Sequence, residues 1–280
     1  MNIKILADST CDLSGKQIAD NNIAIFPLTV VKNNETFRDN ITITPADIFA
    51  HVANGGDLCS TSAGSLGEYM ELFGEYAGQY DGVLHISLGS GFSSSYQNAC
   101  LAAAEYDNVC VVDSQNLSTG QGLVVLKACE LAKNCTSLAQ LRDDVEAFAS
   151  RVEASFLLDQ LGYLVKGGRC SALAALGANL LNLKPCIEVK NGKMGVGKKY
   201  RGNYSKSLAG YVKDRLSGRT DIDDSLIFIT YTTAPADGLE VVRKAVAEFG
   251  NFKEVVETTA GCTISCHCGP NTLGVLFVRK

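Results

Sequence analysis

Residues 83–104 read VLHISLGSGFSSSYQNACLAAA. Val83, Leu84 and Ile86 form the apolar run of a buried strand. The run breaks at Gly89-Ser90-Gly91 and restarts as a helix, with Ala99, Leu101, Ala102 and Ala103 at near-helical spacing. Ser90, Ser93, Ser94 and Ser95 fall between the two, where a helix N-terminus leaves backbone N–H groups unpaired. The partial positive charge of such an end favours an anion. The same serines would serve equally as a helix cap that binds nothing.

The strand, polar loop and helix unit recurs on both sides of this stretch. Residues 3–7, IKILA, predict a strand that ends at Asp8, Ser9, Thr10, Cys11 and Asp12. A polar loop outside the carboxyl end of a buried strand is where open α/β sheets place ligands. A helix from about Ser14 and a second apolar segment, IAIFPLTVV (23–31), complete a β-α-β unit. Thr44 as N-cap and Pro45 at the first helical position predict a helix over 44–54. A loop of hydroxyl residues follows, with Ser60, Thr61, Ser62 and Ser65, and leads into an amphipathic helix. Downstream, NVCVVDSQNLSTGQG (108–122) predicts a strand ending at Asp113-Ser114. Helices over about 118–134 and 137–153 come next. Repeated units of this kind imply a parallel sheet flanked by helices, its loops gathered into a cleft of hydroxyls and glycine.

The second half predicts a different sheet. A short strand from residue 154 and a helix stopped at Lys166-Gly167-Gly168-Arg169 open it. Over 171–182 a helix carries Leu173, Leu176, Leu180 and Leu181 with no polar face, so it is buried all round or lines an apolar cavity. Strands at 184–190 and 193–200 join through Asn191-Gly192, a two-residue hairpin signal. A helix, the strand LIFITY, a helix over 235–249 and two further strands follow, with CTISCHCGPNTLGVLFV containing the last loop. The fold class is therefore α/β in two domains, 1–153 with a parallel sheet and 154–280 with a mixed or antiparallel one.

Composition agrees with this division. A chain of 280 residues and 29.8 kDa is comfortable as two domains. A net charge of −5 offers no basic surface for nucleic acid or anionic membrane. The opening MNIKILADST is too short an apolar run for a signal peptide, and no run reaches transmembrane length. Eleven cysteines scattered singly through apolar segments suit the thiols of a reducing cytosol, so a soluble cytoplasmic protein is expected.

Catalytic and metal signatures are weak. Gly91-Phe92-Ser93-Ser94-Ser95 lacks the final glycine of a hydrolase nucleophile elbow. Of the three histidines, His51 lies mid-helix and His85 within a strand, which leaves His267, in a loop beside Gly269-Pro270, placed like a functional group. Cys262, Cys266, His267 and Cys268 lack the paired Cys-x-x-Cys spacing of structural zinc sites, and buried cysteines explain them as well. No Walker or dinucleotide fingerprint is present. Hydroxyls and a few cations beside apolar helices suit an amphiphile with an anionic head.

At this point the sequence resembles the DegV family of bacterial fatty-acid-binding proteins, the acyl-carrying subunits of fatty acid kinase. Asp8-Ser9-Thr10-Cys11-Asp12-Leu13 resembles the family's opening signature, and Thr61-Ser62-Ala63-Gly64-Ser65 its Thr-Ser-Gln-Pro-Ser loop. Ser90-Gly91-Phe92-Ser93-Ser94-Ser95-Tyr96-Gln97 is similar to Ser-Gly-Leu-Ser-Gly-Thr-Tyr-Gln. Asp113-Ser114 with Gly120-Gln121-Gly122, then Lys166-Gly167-Gly168-Arg169, then His267-Cys268-Gly269-Pro270 with Leu273-Gly274 follow in the family's order. Ala63-Gly64 stand where the family has Gln-Pro, Ser94 where it has Gly, and Asn271 where it has the Gly of Gly-Pro-Gly.

The resemblance implies a long-chain fatty acid buried between two domains, its carboxylate held by Thr61 and Ser93. Arg201 and His267 would lie near the head group, joined by Arg169. It also implies a carrier without cofactor, metal or catalytic residues of its own. A separate ATP-dependent kinase subunit would phosphorylate the bound carboxylate, and the acyl phosphate would pass to an acyltransferase of phospholipid synthesis. Two other classes stay open: a hydrolase or transferase using Ser93 with His267, and a binder of a small phosphorylated metabolite.

Overall fold

A computed structural model of the chain describes residues 1–174, 183–233 and 236–280. Ile3–Asp8 forms β1, whose Leu6 and Ala7 are fully buried. A short 3-10 turn over Ser9–Cys11 follows, and a Ser14–Gln17 capping box starts α1 (Gly15–Asp20). Ala24–Phe26, β2, runs parallel to β1. The apolar segment 23–31 is thus not one strand. Pro27 divides it, and Thr29–Lys32 (β3) joins a separate antiparallel sheet with Glu35–Arg38 (β4). After α2 (Pro45–Ala53), capped by Thr44, the hydroxyl stretch expected as a loop is a short strand, β5 (Ser60–Ser62). It pairs with β3, so that Thr61 stands opposite the buried Val30. Sheet pairing with a distant strand overrides the weak local preference of Ser-Thr-Ser.

The chain then runs through α3 (Leu66–Ala77), β6 (Gly82–Ser87), α4 (Ser95–Ala103), β7 (Val109–Asp113), α5 (Thr119–Ala132) and α6 (Leu138–Ala149). The first sheet has the order β2-β1-β6-β7 and is parallel throughout. On α4, Ala99, Ala102 and Ala103 are buried, whereas Leu101 is 60% exposed. The helix expected to reach 153 ends at Ala149, and β8 begins at Val152, two residues before the expected division of the chain.

The second sheet is mixed, as expected. β8 (Val152–Leu157) is followed by α7 (Leu161–Gly167), which stops at Gly168 in the left-handed conformation. Of the helix expected over 171–182, α8 (Ser171–Ala174) is present. Leu176, Leu180 and Leu181 and the Leu173 side chain lie outside the described residues. β9 (Leu183–Lys190) and β10 (Lys193–Arg201) form the antiparallel hairpin, with Asn191 and Gly192 both at positive φ as its tight turn demands. α9 (Tyr204–Leu216), β11 (Ile222–Tyr231), α10 (Ala236–Phe249), β12 (Glu254–Thr259), α11 (Cys262–Cys268) and β13 (Leu273–Arg279) complete the chain. The sheet order is β10-β9-β8-β13-β11-β12, antiparallel except between β11 and β12.

Two elements join the sheets. α5 touches β1 and β6 on one side and β8 and β13 on the other. Seven consecutive residues, Thr119–Val125, are therefore buried, while Lys127 and Glu130 in the second half of the helix form an ion pair toward solvent. α11 occupies the stretch expected as the last loop. It packs on α2, α7 and the small β3-β5 sheet, far from its own strands in sequence. Among the described residues no helix is long and apolar enough to cross a membrane.

Candidate functional site

Asp8, at the carboxyl end of β1, fixes the serine loop. Its buried carboxylate accepts hydrogen bonds from the Tyr69 hydroxyl (2.8 Å), the Ser87 hydroxyl (2.9 Å) and the Leu88 backbone N–H (2.7 Å). His85 Nε2 lies 3.1 Å away and completes the set. Burial disfavours the charged form, but the His85 charge and these hydrogen bonds outweigh it, holding Asp8 below the usual carboxylate range. Asp113 takes the other side of the loop, accepting from the Ser90 N–H and hydroxyl and from the Gln115 N–H. Gly91 has no room for a side chain: a Cβ there would stand 2.1 Å from the Gly192 carbonyl oxygen. The β9–β10 turn thus lies directly on the serine loop.

The loop itself is tied to the Thr61 segment. Asn98 Nδ2 donates to the Gly64 carbonyl (2.7 Å), and the Ser95 N–H donates to Ser93 Oγ (3.1 Å). Ser93 Oγ also lies 2.9 Å from Ser95 Oγ, while Ser94 makes no capping bond.

Opposite stands α11, held by two carboxylates from the first half of the chain. Asp12 accepts from the Gly261 N–H (2.8 Å) and the Ser118 hydroxyl (2.6 Å). Asp39 accepts from the Cys262 N–H (2.7 Å), the Thr263 N–H (3.3 Å) and the Ser9 hydroxyl (2.8 Å). Three orphan donors of a seven-residue helix are thereby satisfied. His267, in the last turn of α11 rather than in a loop, then meets Thr61, its Nε2 lying 2.7 Å from Thr61 Oγ1.

Thr61, Ser93, Arg169 and His267 line one cavity with Leu28, Leu88, Phe92, Leu117, Met194 and Ile264 among its apolar walls. It encloses about 520 Å³, solvent at its mouth included. Leu117, Ile264 and Cys268 also line a second cavity of about 370 Å³, open solvent again included, with Ala154, Phe156, Ala260 and Leu276 among its other walls. The two cavities share the first three of these wall residues, and the hydroxyl and imidazole groups of Thr61, Ser93 and His267 lie in the first of them. Arg201 is not among the lining residues; it is exposed at the end of β10. Ser93 pairs with Ser95 and His267 with Thr61, so no Ser93–His267 couple is formed.

His267 is neutral at pH 7. Burial, with the Arg169 guanidinium adding to it, pushes its imidazole down from 6.5 to about 4. Its Nδ1 is buried and has no partner among the described residues. A proton on Nε2 would donate to Thr61 Oγ1 and free the threonine hydroxyl to donate to an anion. Burial, with the Asp39 charge adding, raises Asp12 to about 8 against its bonds from Ser118 and Gly261.

These two shifts set opposite pH slopes. The His267 contribution is complete above 6.5 and is lost as pH falls through about 4. That of Asp12 is complete below 3.8 and is lost as pH rises through about 8. His267→Gln is expected to remove about 3 kcal/mol of acid destabilisation over its window, measured by urea unfolding across pH. Asp12→Asn should flatten the loss between 6.5 and 8 instead. Equal pH profiles for wild type and both variants would contradict the assignment.

The anchoring roles of Asp8, Asp12 and Asp39 were not legible in the sequence beyond the polar loop after the first strand. The cysteine cluster has a structural setting: Cys59, Cys262 and Cys266 pack with Val30, Ile43 and Ile48. Burial raises all three thiols, and no group of side chains suited to a metal occurs among the described residues.

Comparison with known proteins gives a consistent picture. The chain matches a sequence model described as the DegV family over residues 2–280. A DegV domain-containing protein of Clostridium acetobutylicum is 30% identical over 280 residues, 99% of either chain. A solved DegV family protein from Thermus thermophilus, described as fatty acid binding, is 28% identical with a TM-score of 0.89 over 100% of both chains. Bacillus subtilis DegV, described as a fatty acid binding protein, is 28% identical with a TM-score of 0.83, again over 100% of both.

Proposed function

The chain belongs to the DegV family, and from that premise we propose that it is a carrier of long-chain fatty acid. The observation that supports this most is the Thr61–His267 pair with Ser93 in a cavity of largely apolar walls, three of which it shares with a second cavity. The carboxylate takes hydroxyl hydrogen bonds from Thr61 and Ser93, and the tail passes Leu117, Ile264 and Cys268 into the second cavity. The ligand then lies between the two proposed units, 1–153 and 154–280.

The energetics are lopsided. Burying roughly fourteen methylenes contributes up to about 11 kcal/mol before the costs of association. Each charge-assisted hydroxyl bond adds about 1.5–3 kcal/mol. The tail supplies affinity and the hydroxyls supply orientation.

Further steps belong to other proteins in this reading. A separate ATP-dependent kinase phosphorylates the presented carboxylate, and an acyltransferase of phospholipid synthesis consumes the acyl phosphate, in the cytoplasm. Arg169, exposed at the rim, and Arg201, outside the lining, face that kinase. Native mass spectrometry of the freshly purified protein tests the ligand: a co-purified long-chain fatty acid is expected. An empty protein that also takes up no added hexadecanoate or octadecenoate would overturn the reading. Ser93→Ala is expected to lower fatty acid affinity by about 10-fold with the fold intact. Wild-type retention and normal acyl phosphate formation by that variant would remove Ser93 from the head-group site.

A further inference from the structure

The buried hydroxyls around the second cavity are all partnered. Ser118 donates to Asp12, and Ser155 pairs with Tyr211. Thr230 pairs with Thr119 and Thr258, Thr232 donates to the Gly269 carbonyl, and Thr272 to the Cys268 carbonyl. Thr263 differs from these. It lines the first cavity, it is 5% exposed, and its hydroxyl has no hydrogen-bond partner among the described residues. As the second residue of α11 it has no carbonyl one turn back within the helix; Thr259 lies on β12. A buried hydroxyl left unpaired is a standing cost, which a ligand group can remove.

Thr263 shares a face of α11 with His267, four residues on, and both line the same cavity. Four residues advance about 6 Å along a helix, the reach of roughly the first five carbons of an extended acyl chain. The hydroxyl oxygen is buried beside the cavity, and rotation about χ1 between staggered positions exchanges it with the methyl and turns it to the lumen.

We infer that Thr263 is a specificity-determining residue that selects long-chain fatty acids carrying a hydroxyl near the carboxyl end. The inference rests on the fatty acid reading above and adds the ligand class to it. A 3- to 5-hydroxy group would form one hydrogen bond with the threonine, as donor or as acceptor, whereas a plain chain leaves that hydroxyl unpaired. Discrimination by one neutral hydrogen bond is worth about 3- to 10-fold in relative affinity.

The test measures binding of hexadecanoate, its 3- and 5-hydroxy derivatives and 12-hydroxyhexadecanoate to the delipidated full-length chain. The wild type is expected to favour at least one proximal hydroxy acid over hexadecanoate and over the distal control. Thr263→Val, nearly equal in volume, should lower that preference about 3- to 10-fold, and Thr263→Ser should keep it. Identical preference ratios in wild type and Thr263→Val overturn the inference, as does a wild type that treats proximal and distal hydroxyls alike. That second comparison decides the matter even if the valine variant fails to fold. Failure of every protein to bind hexadecanoate or its derivatives would instead sink the fatty acid reading itself.

Discussion

Replacing Asp8 with alanine is expected to cost the fold about 3–5 kcal/mol, the range for breaking a buried, fully hydrogen-bonded charge. Typical domains hold only about 5–15 kcal/mol in total, so a loss of that size approaches global unfolding. The reason is convergence. Tyr69, His85, Ser87 and Leu88 all point polar hydrogens at one carboxylate that has no access to solvent. Removing it strands four groups, three of them on the strand and loop that lead into the serine segment. Tyr69→Phe, which removes one donor and leaves the carboxylate served, should cost only about 1 kcal/mol. Urea unfolding of the two variants gives the comparison, and similar small losses in both would show that Asp8 is not the anchor. Acid provides a second check. Asp8 is held below its ordinary 3.8, so its contribution is present above that value and lost only as pH falls through the lower folded value. The His267 loss comes earlier, between 6.5 and about 4.

The parts of the architecture visible in the sequence are those encoded locally. The stretch 83–104 reads as strand and helix because its apolar spacing changes from one period to the other at Gly89-Ser90-Gly91. Asn191-Gly192 announces its hairpin because both residues tolerate positive φ. Thr44 announces a helix through capping chemistry that needs no distant partner. What escaped has the opposite character. Ser60–Ser62 is a strand only because Val30 and Val31 lie about thirty residues away to receive it. Cys262–Cys268 has neither helix formers nor a periodic face, and its first turn is capped by Asp12 and Asp39, more than two hundred residues upstream. For the same reason the resemblance implies that Thr61 and His267 belong near one ligand but not that they touch. The resemblance brought Arg201 forward with the others, whereas the folded chain keeps it out of the cavity wall. Pairing across the fold is what a local pattern lacks.

Thr61→Val is expected to lower fatty acid affinity by about 10- to 100-fold, more than Ser93→Ala, because it removes two interactions at once. In the proposed complex the carboxylate loses a hydroxyl donor, and His267 Nε2 loses its partner in a buried setting whose Nδ1 has none among the described residues. The strand should survive, since valine favours the extended backbone that pairs residue 61 with Val30. Tail burial should still hold some lipid, with its carboxylate free to wander. Retention measured by native mass spectrometry should therefore fall less steeply than acyl phosphate formation in the presence of a kinase. Thr61→Ser keeps the hydroxyl and is expected to restore both. If Thr61→Val retains ligand and supports phosphorylation as the wild type does, the cavity wall around Thr61 and Ser93 is not where the carboxylate rests. The anion would then have to be sought deeper, along the face of α11 that carries Thr263.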